Sequence, residues 1–232
     1  MANFRAHLTG GALVAGTAAF ASYGEGLSSS AETQALFAIG TAASLLPDID
    51  ADDSKPARGV FNLAGLVGGF LVAFALAEHI GLIEQVIVWL AVAGLIAFPV
   101  RWAFAKLTVH RGIWHSLLMA VAVALAVTVA ADTLLGLAPL AAWLAGGFVL
   151  LGYLTHLLLD EIASVDLLDR RVKRSFGTAL KPLSLRAWPW SLALIGLTVV
   201  LAGLTPNPEP VLAAIERFGV AADPLLAYWP RW

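Results

Sequence analysis

The chain has 232 residues, of which 59% are hydrophobic and 13% charged, and its formal net charge is -2. Soluble domains carry about 25% charged residues. This composition, with a mean hydropathy of +0.83, therefore excludes an ordinary soluble domain and points to an integral membrane protein. No cysteine is present, which excludes disulfides, thiolate metal sites and cysteine nucleophiles.

A membrane-spanning helix needs about 17–25 mostly apolar residues, and seven segments approach that pattern. The first, Ala6–Tyr23, follows Arg5. It ends near Ala19-Phe20-Ala21, which imitates a signal-peptide cleavage site. The single charge before it, and Thr9 and the glycines within it, favour an uncleaved helix. The second, Thr33–Leu46, is short and stops at LPDID, where Pro47 precedes Asp48 and Asp50. The third and fourth are Asn62–Ala77 and Leu82–Phe104. The fifth, His115–Leu135, is opened by HRGIWHS. The sixth, Leu140–Leu159, runs into HLLLDE, and the seventh, Trp190–Leu204, is short. From Glu209 onward, Val211, Leu212, Ile215 and Phe218 give a brief amphipathic pattern, and Trp229 and Trp232 read as interface anchors.

Period-two alternation is absent, which argues against a barrel. Gly68-Gly69, Gly146-Gly147 and many alanines suit close helix packing in lipid. The expectation is an all-α polytopic transmembrane bundle of about six or seven spanning helices. Residues 1–205 form a transmembrane helical metal-binding domain, and 206–232 a short amphipathic interfacial tail.

Lys and Arg accumulate on the cytoplasmic side of membrane proteins. Arg5 precedes the first segment. Lys55 and Arg58 lie in the second loop, and Arg101, Lys106 and Arg111 in the fourth. Arg170, Arg171, Lys173, Arg174, Lys181 and Arg186 lie in the sixth. The odd loops, near Gly24–Glu32, Glu78–Gly81 and Gly136–Pro139, carry none. The N-terminus and the even loops are thus expected in the cytoplasm. The basic run from Arg170 to Arg186 reads as a topology signal that also suits anionic lipid headgroups.

Four groups of ionisable residues fall at the cytoplasmic ends of these segments: His7; Asp48 and Asp50; His110, Arg111 and His115; and His156, Asp160 and Glu161. Ionisable residues at membrane depth are functional candidates by default. His156 and Asp160 are four residues apart and share a helix face. His110 and His115 are five apart, so a turn at Gly112 is needed to bring both to one point, with His115 beginning the fifth helix. Asp48 and Asp50 follow a proline, where two carboxylates can converge. Imidazole and carboxylate together favour a divalent transition metal. Zinc comes first, with manganese or iron as alternatives. Seven donors suffice for one or two ions. Arg111 can hold a phosphate or carboxylate bidentately, and Glu161 is a candidate base, although it lies off the His156–Asp160 face.

Other features have ordinary readings. His79, beside Glu78, is expected at the surface. Asp48, Asp50 and Asp52 imitate a calcium loop, but Asp53 and Gly59 stand where that loop needs Gly and Glu. Ser116 lies in no nucleophile elbow.

The set of His7, LPDID, HRGIWHS and HLLLDEI, spread from Phe4 to about Ile162, resembles the YdjM-like inner-membrane proteins, described as membrane-bound metal-dependent hydrolases. The resemblance implies a bacterial polytopic inner-membrane protein whose metal positions are His7, Asp48, Asp50, His110, His115, His156 and Asp160. GYLTHLLLDE is also distantly similar to the metal-binding helix of zinc-dependent phospholipase C and P1-type nucleases.

The expected function is a metal-dependent hydrolase in which Arg111 and Glu161 assist catalysis. Its expected partners are membrane lipids and an amphipathic phosphoester, with no nucleic acid. A divalent metal transporter, and a structural or regulatory protein with a structural metal, are the competing readings. Transporter sites lie near the bilayer midplane, whereas these clusters sit at one boundary.

Overall fold

The computed structural model describes residues 3–50, 55–107, 112–166, 171–172, 180–184 and 187–217. They are helical, apart from connections and one antiparallel pair of two-residue strands, β1 (Val165–Asp166) and β2 (Arg171–Val172). The chain divides into two compact units, one of Met1–Pro47 with His115–Trp232 and one of Asp48–Trp114.

The first unit begins with α1 (Phe4–Gly24), capped by Asn3, whose side chain accepts from the Ala6 amide. Its buried positions are His7, Gly11, Ala15, Ala19 and Ser22. That spacing of three and four marks one face of a helix. All but the histidine are small, so a neighbouring backbone can come close. Helix α2 (Ser30–Ala43) takes that place. It starts with a capping box, in which the Ser29 side chain accepts from the Glu32 amide and the Glu32 side chain accepts from the Ser29 amide.

Helix α6 (Leu117–Thr133) and helix α7 (Pro139–Ile162) complete the core with α1 and α2. Gly40 of α2 is essential to this layer. A Cβ there would stand 2.9 Å from Ala15 Cβ, and a Cβ on Gly152 of α7 would run into the Gly40 carbonyl. Lipid gives no hydrophobic drive between helices, so close backbone approach and its van der Waals contacts must supply the association. Helix α8 (Trp188–Leu204) packs on α6, and α9 (Glu209–Arg217) turns 89° from it and packs on α7. Leu212 and Ala214 of α9 are buried, and Val211 and Ile215 are half-buried. Phe218, Trp229 and Trp232 lie outside the described residues.

The second unit contains α3 (Lys55–Ala75) packed on α4 (Leu82–Leu95). Gly65 and Gly69 of α3 face Ala93 and Trp89 of α4. The ladder of α4 widens to a π turn at Ile96–Val100 before α5 (Arg101–Leu107). Pro99 lies in that turn. Proline lacks the amide proton and its ring clashes with the carbonyl four residues back, so the ladder deviates at that point.

Three described helices are long and apolar enough to cross a membrane: Pro56–Ala75, Leu82–Lys106 and Pro139–Ile162. Counting the bent pair α8–α9 as one span gives four. The sequence suggested six or seven segments. The difference lies in length and polarity. Helix α2 has 14 residues, about 21 Å at a rise of 1.5 Å per residue, against a hydrocarbon core of about 30 Å. Helix α6, at 17 residues, is apolar but also short. Helix α1 has the length but carries Arg5, His7, Thr9, Thr17, Ser22 and four glycines within its run.

Candidate metal centre

The buried stripe of α7 runs through Ala142, Ala145, Val149, Gly152 and Tyr153 to His156 and Asp160. The face that packs the core therefore delivers an imidazole and a carboxylate to its end. His7 comes from the first turns of α1. His115 comes from the bend Gly112–Ser116 that precedes α6. This corrects one expectation: His115 does not begin the helix. Ser116 is the N-cap, its side chain accepting from the Met119 amide, so the helix starts at Leu117, two residues later.

These four side chains are fully buried, each at 0% exposure. Asp160 stands between two of the histidines. Its Oδ1 is 3.2 Å from His7 Nε2, and its Oδ2 is 3.8 Å from His115 Nε2. The rings of His7 and His156 stack, with centroids 3.6 Å apart and planes inclined by 10°. The His115 ring stands edge-on to His156 at 5.6 Å. His156 Nδ1 lies 2.7 Å from the Ser44 carbonyl. A carbonyl can only accept, so Nδ1 carries the proton and Nε2 keeps its lone pair.

The donor atoms of His7, His156 and Asp160 all lie within 4.8 Å of one another. Zinc–ligand bonds of about 2.0–2.2 Å in a tetrahedron place donors roughly 3.3 Å apart. The His7–Asp160 separation matches this, and His115–Asp160 is slightly wider. Among the described residues, neither ring nitrogen of His7 makes a hydrogen bond, although buried polar atoms are normally satisfied. Donor type, spacing and the unsatisfied His7 nitrogens thus all fit a divalent transition ion.

The other predicted residues fall in three places. Glu161 follows Asp160 and is buried at 9% exposure, and its carbonyl accepts from Ser164 Oγ at 2.5 Å. Asp48 and Asp50 lie on a 3-10 turn, Leu46–Asp50, and belong to the second unit. His110 and Arg111 lie outside the described residues, as do Asp52 and Asp53.

Sequence reasoning passed over Ser44. It ends α2, is fully buried, and donates from Oγ towards His7 O at 3.0 Å and Thr41 O at 2.7 Å. Nothing in the local sequence marks it, because its partners are far away in the chain.

No curated protein and no solved structure matches the chain. The family model described as YdjM inner membrane protein matches residues 1–226. With all but the last few residues matched, and with helices apolar and long enough for a bilayer, the chain belongs to the YdjM inner membrane protein family.

Proposed function

We propose that the protein is a metal-dependent hydrolase of the inner membrane, acting on a phospholipid or another amphipathic phosphoester at the cytoplasmic leaflet. The observation that supports this reading is the fully buried set of His7, His115, His156 and Asp160 at the ends of apolar helices. In this reading the chain crosses the membrane six or seven times with its N-terminus in the cytoplasm, as the alternation of Lys and Arg along the loops suggests.

The four residues hold one divalent ion, zinc before manganese or iron. When bound, that ion activates water and polarises the phosphoester. Asp160 brings its two oxygens close to His7 Nε2 and His115 Nε2, at 3.2 and 3.8 Å, and His156 is oriented by the Ser44 carbonyl. Glu161 is the candidate to accept a proton, and Arg111 the candidate to hold the anionic head. Asp48, Asp50 and His110 enter as ligands of a second ion on the sequence alone.

The test is metal content of the detergent-purified protein beside His115→Ala and Asp160→Ala, followed by a screen of phospholipids and phosphoesters. One or two equivalents of a transition metal, lost in both variants, with metal-dependent ester cleavage, is the expected result. Metal retained in both variants would remove the ligand assignment.

One observation favours a second reading. Four buried protein donors would fill a tetrahedral zinc ion, and structural zinc sites have four protein ligands whereas catalytic ones keep a position open. A purely structural ion would make chelation lower Tm while no ester is turned over.

A further inference from the structure

Ser44 touches the metal centre from two directions without being a ligand. Its carbonyl accepts the Nδ1 proton of His156. Its hydroxyl donates towards the carbonyl of His7, the residue that brings the other stacked imidazole. One buried residue at the end of α2 therefore sets both the tautomer of His156 and the position of His7. Space for it is made by Gly11, one turn beyond His7, because a Cβ at Gly11 would collide with Ser44 Oγ and Cβ.

We propose that Ser44, seated against Gly11, is the positioning residue of the metal centre: it orders the His7–His156 pair so that His156 offers Nε2 to the ion. The inference rests on the metal reading given above. Partners that orient metal-binding histidines change affinity by about 10- to 100-fold when removed. Ser44→Ala keeps the carbonyl that holds His156 and deletes the hydroxyl contacts to the His7 and Thr41 carbonyls, which places it near the lower figure. Gly11→Ala displaces the whole residue and belongs near the upper one. Thr41→Val, which removes a neighbouring hydroxyl that holds neither histidine, is the control.

The experiment has two parts. In metal-free wild-type protein, nitrogen NMR of labelled histidine reads the tautomer of His156 directly. The Nδ1–H form is expected, and the Nε2–H form would overturn the proposal whatever the metal does. In the second part, cobalt(II) is titrated and its visible ligand-field bands are recorded. Ser44→Ala is expected to weaken cobalt binding about tenfold and shift the bands, Gly11→Ala to weaken it further, and Thr41→Val to do neither. Unchanged affinity and bands in both Ser44→Ala and Gly11→Ala would overturn the positioning role while leaving the metal centre intact. Wild-type protein that takes up no cobalt would overturn the metal centre itself, and the positioning role with it.

Discussion

The run Leu82–Lys106, which begins with α4, and helix α7 are both apolar and of spanning length, yet they use their surfaces in opposite ways. Over α7, 56% of the hydrophobic window is buried inside the protein, whereas for the span that includes α4 the figure is 0%. Leu82, Ile83 and Ile87 of α4 point outward, as do Phe98 and Trp102 beyond it. Helix α7 instead turns inward Gly146, Gly152, Tyr153, His156 and Asp160. In water the outward face of α4 would be unfavourable, but hydrocarbon is as apolar as leucine. What makes an interior in such a medium is close backbone approach and polar contact, and α7 has both. The second unit is an apolar surface with a modest interior. The first unit is an interior that buries ionisable groups.

The strongest way to break this comparison is at Asp160. Removing one partner of a buried pair leaves the others uncompensated, at a cost of about 3–5 kcal/mol. Asp160→Ala should therefore lower Tm sharply in detergent. Ile87→Ala on the exposed face of α4 should fall within about 0.5 kcal/mol of wild type. Similar losses in the two variants would mean that burial does not separate the units.

A smaller effect tests packing without touching chemistry. Gly152→Ala drives a methyl into the Gly40 carbonyl, and overpacking costs about 1–3 kcal/mol. Gly94→Ala in α4 meets nothing within 4 Å and should stabilise its helix by about 0.5–1 kcal/mol. Thermal unfolding of the pair should move in opposite directions.

A further small effect, read through pH, lies at the exposed start of α2. Ser29→Ala removes half of the capping box and should cost about 1 kcal/mol. The hydrogen bond from the Ser29 amide, and then the one involving its side chain, hold the Glu32 carboxyl below its ordinary value. A lowered carboxylate pKa gives stability that is present above the ordinary glutamate pKa of about 4.3. That stability is lost as pH falls through the lowered value. Stability measured through that acid window should thus depend less on pH in Ser29→Ala than in wild type.

Much of this was legible in the chain. His156 and Asp160 announce themselves by their four-residue spacing at the end of an apolar run. His7 and His115 stand out because imidazoles are rare in such company. The helix ends were less clear. Ser116 caps α6 through Met119, a contact visible as a Ser-x-x pattern but masked by the histidine beside it. Lys55 and Arg58 read as loop residues, whereas the helix that follows already includes them. Ser44 and Gly11 were illegible, because a buried hydroxyl and an empty Cβ position acquire meaning only when α1 and α2 lie side by side.

The first unit is made of both ends of the chain, with residues 48–114 intervening. During synthesis, at about 5–20 residues per second, chains emerge N-terminus first. The intervening 67 residues (48 to 114 inclusive) then take roughly 3–13 s to make at that rate. Throughout that interval α1 and α2 exist without α6 and α7, and His7 has neither Asp160 nor His156 beside it. Completion of the polar cluster is therefore a late event in the life of the nascent chain, timed by the arrival of α7.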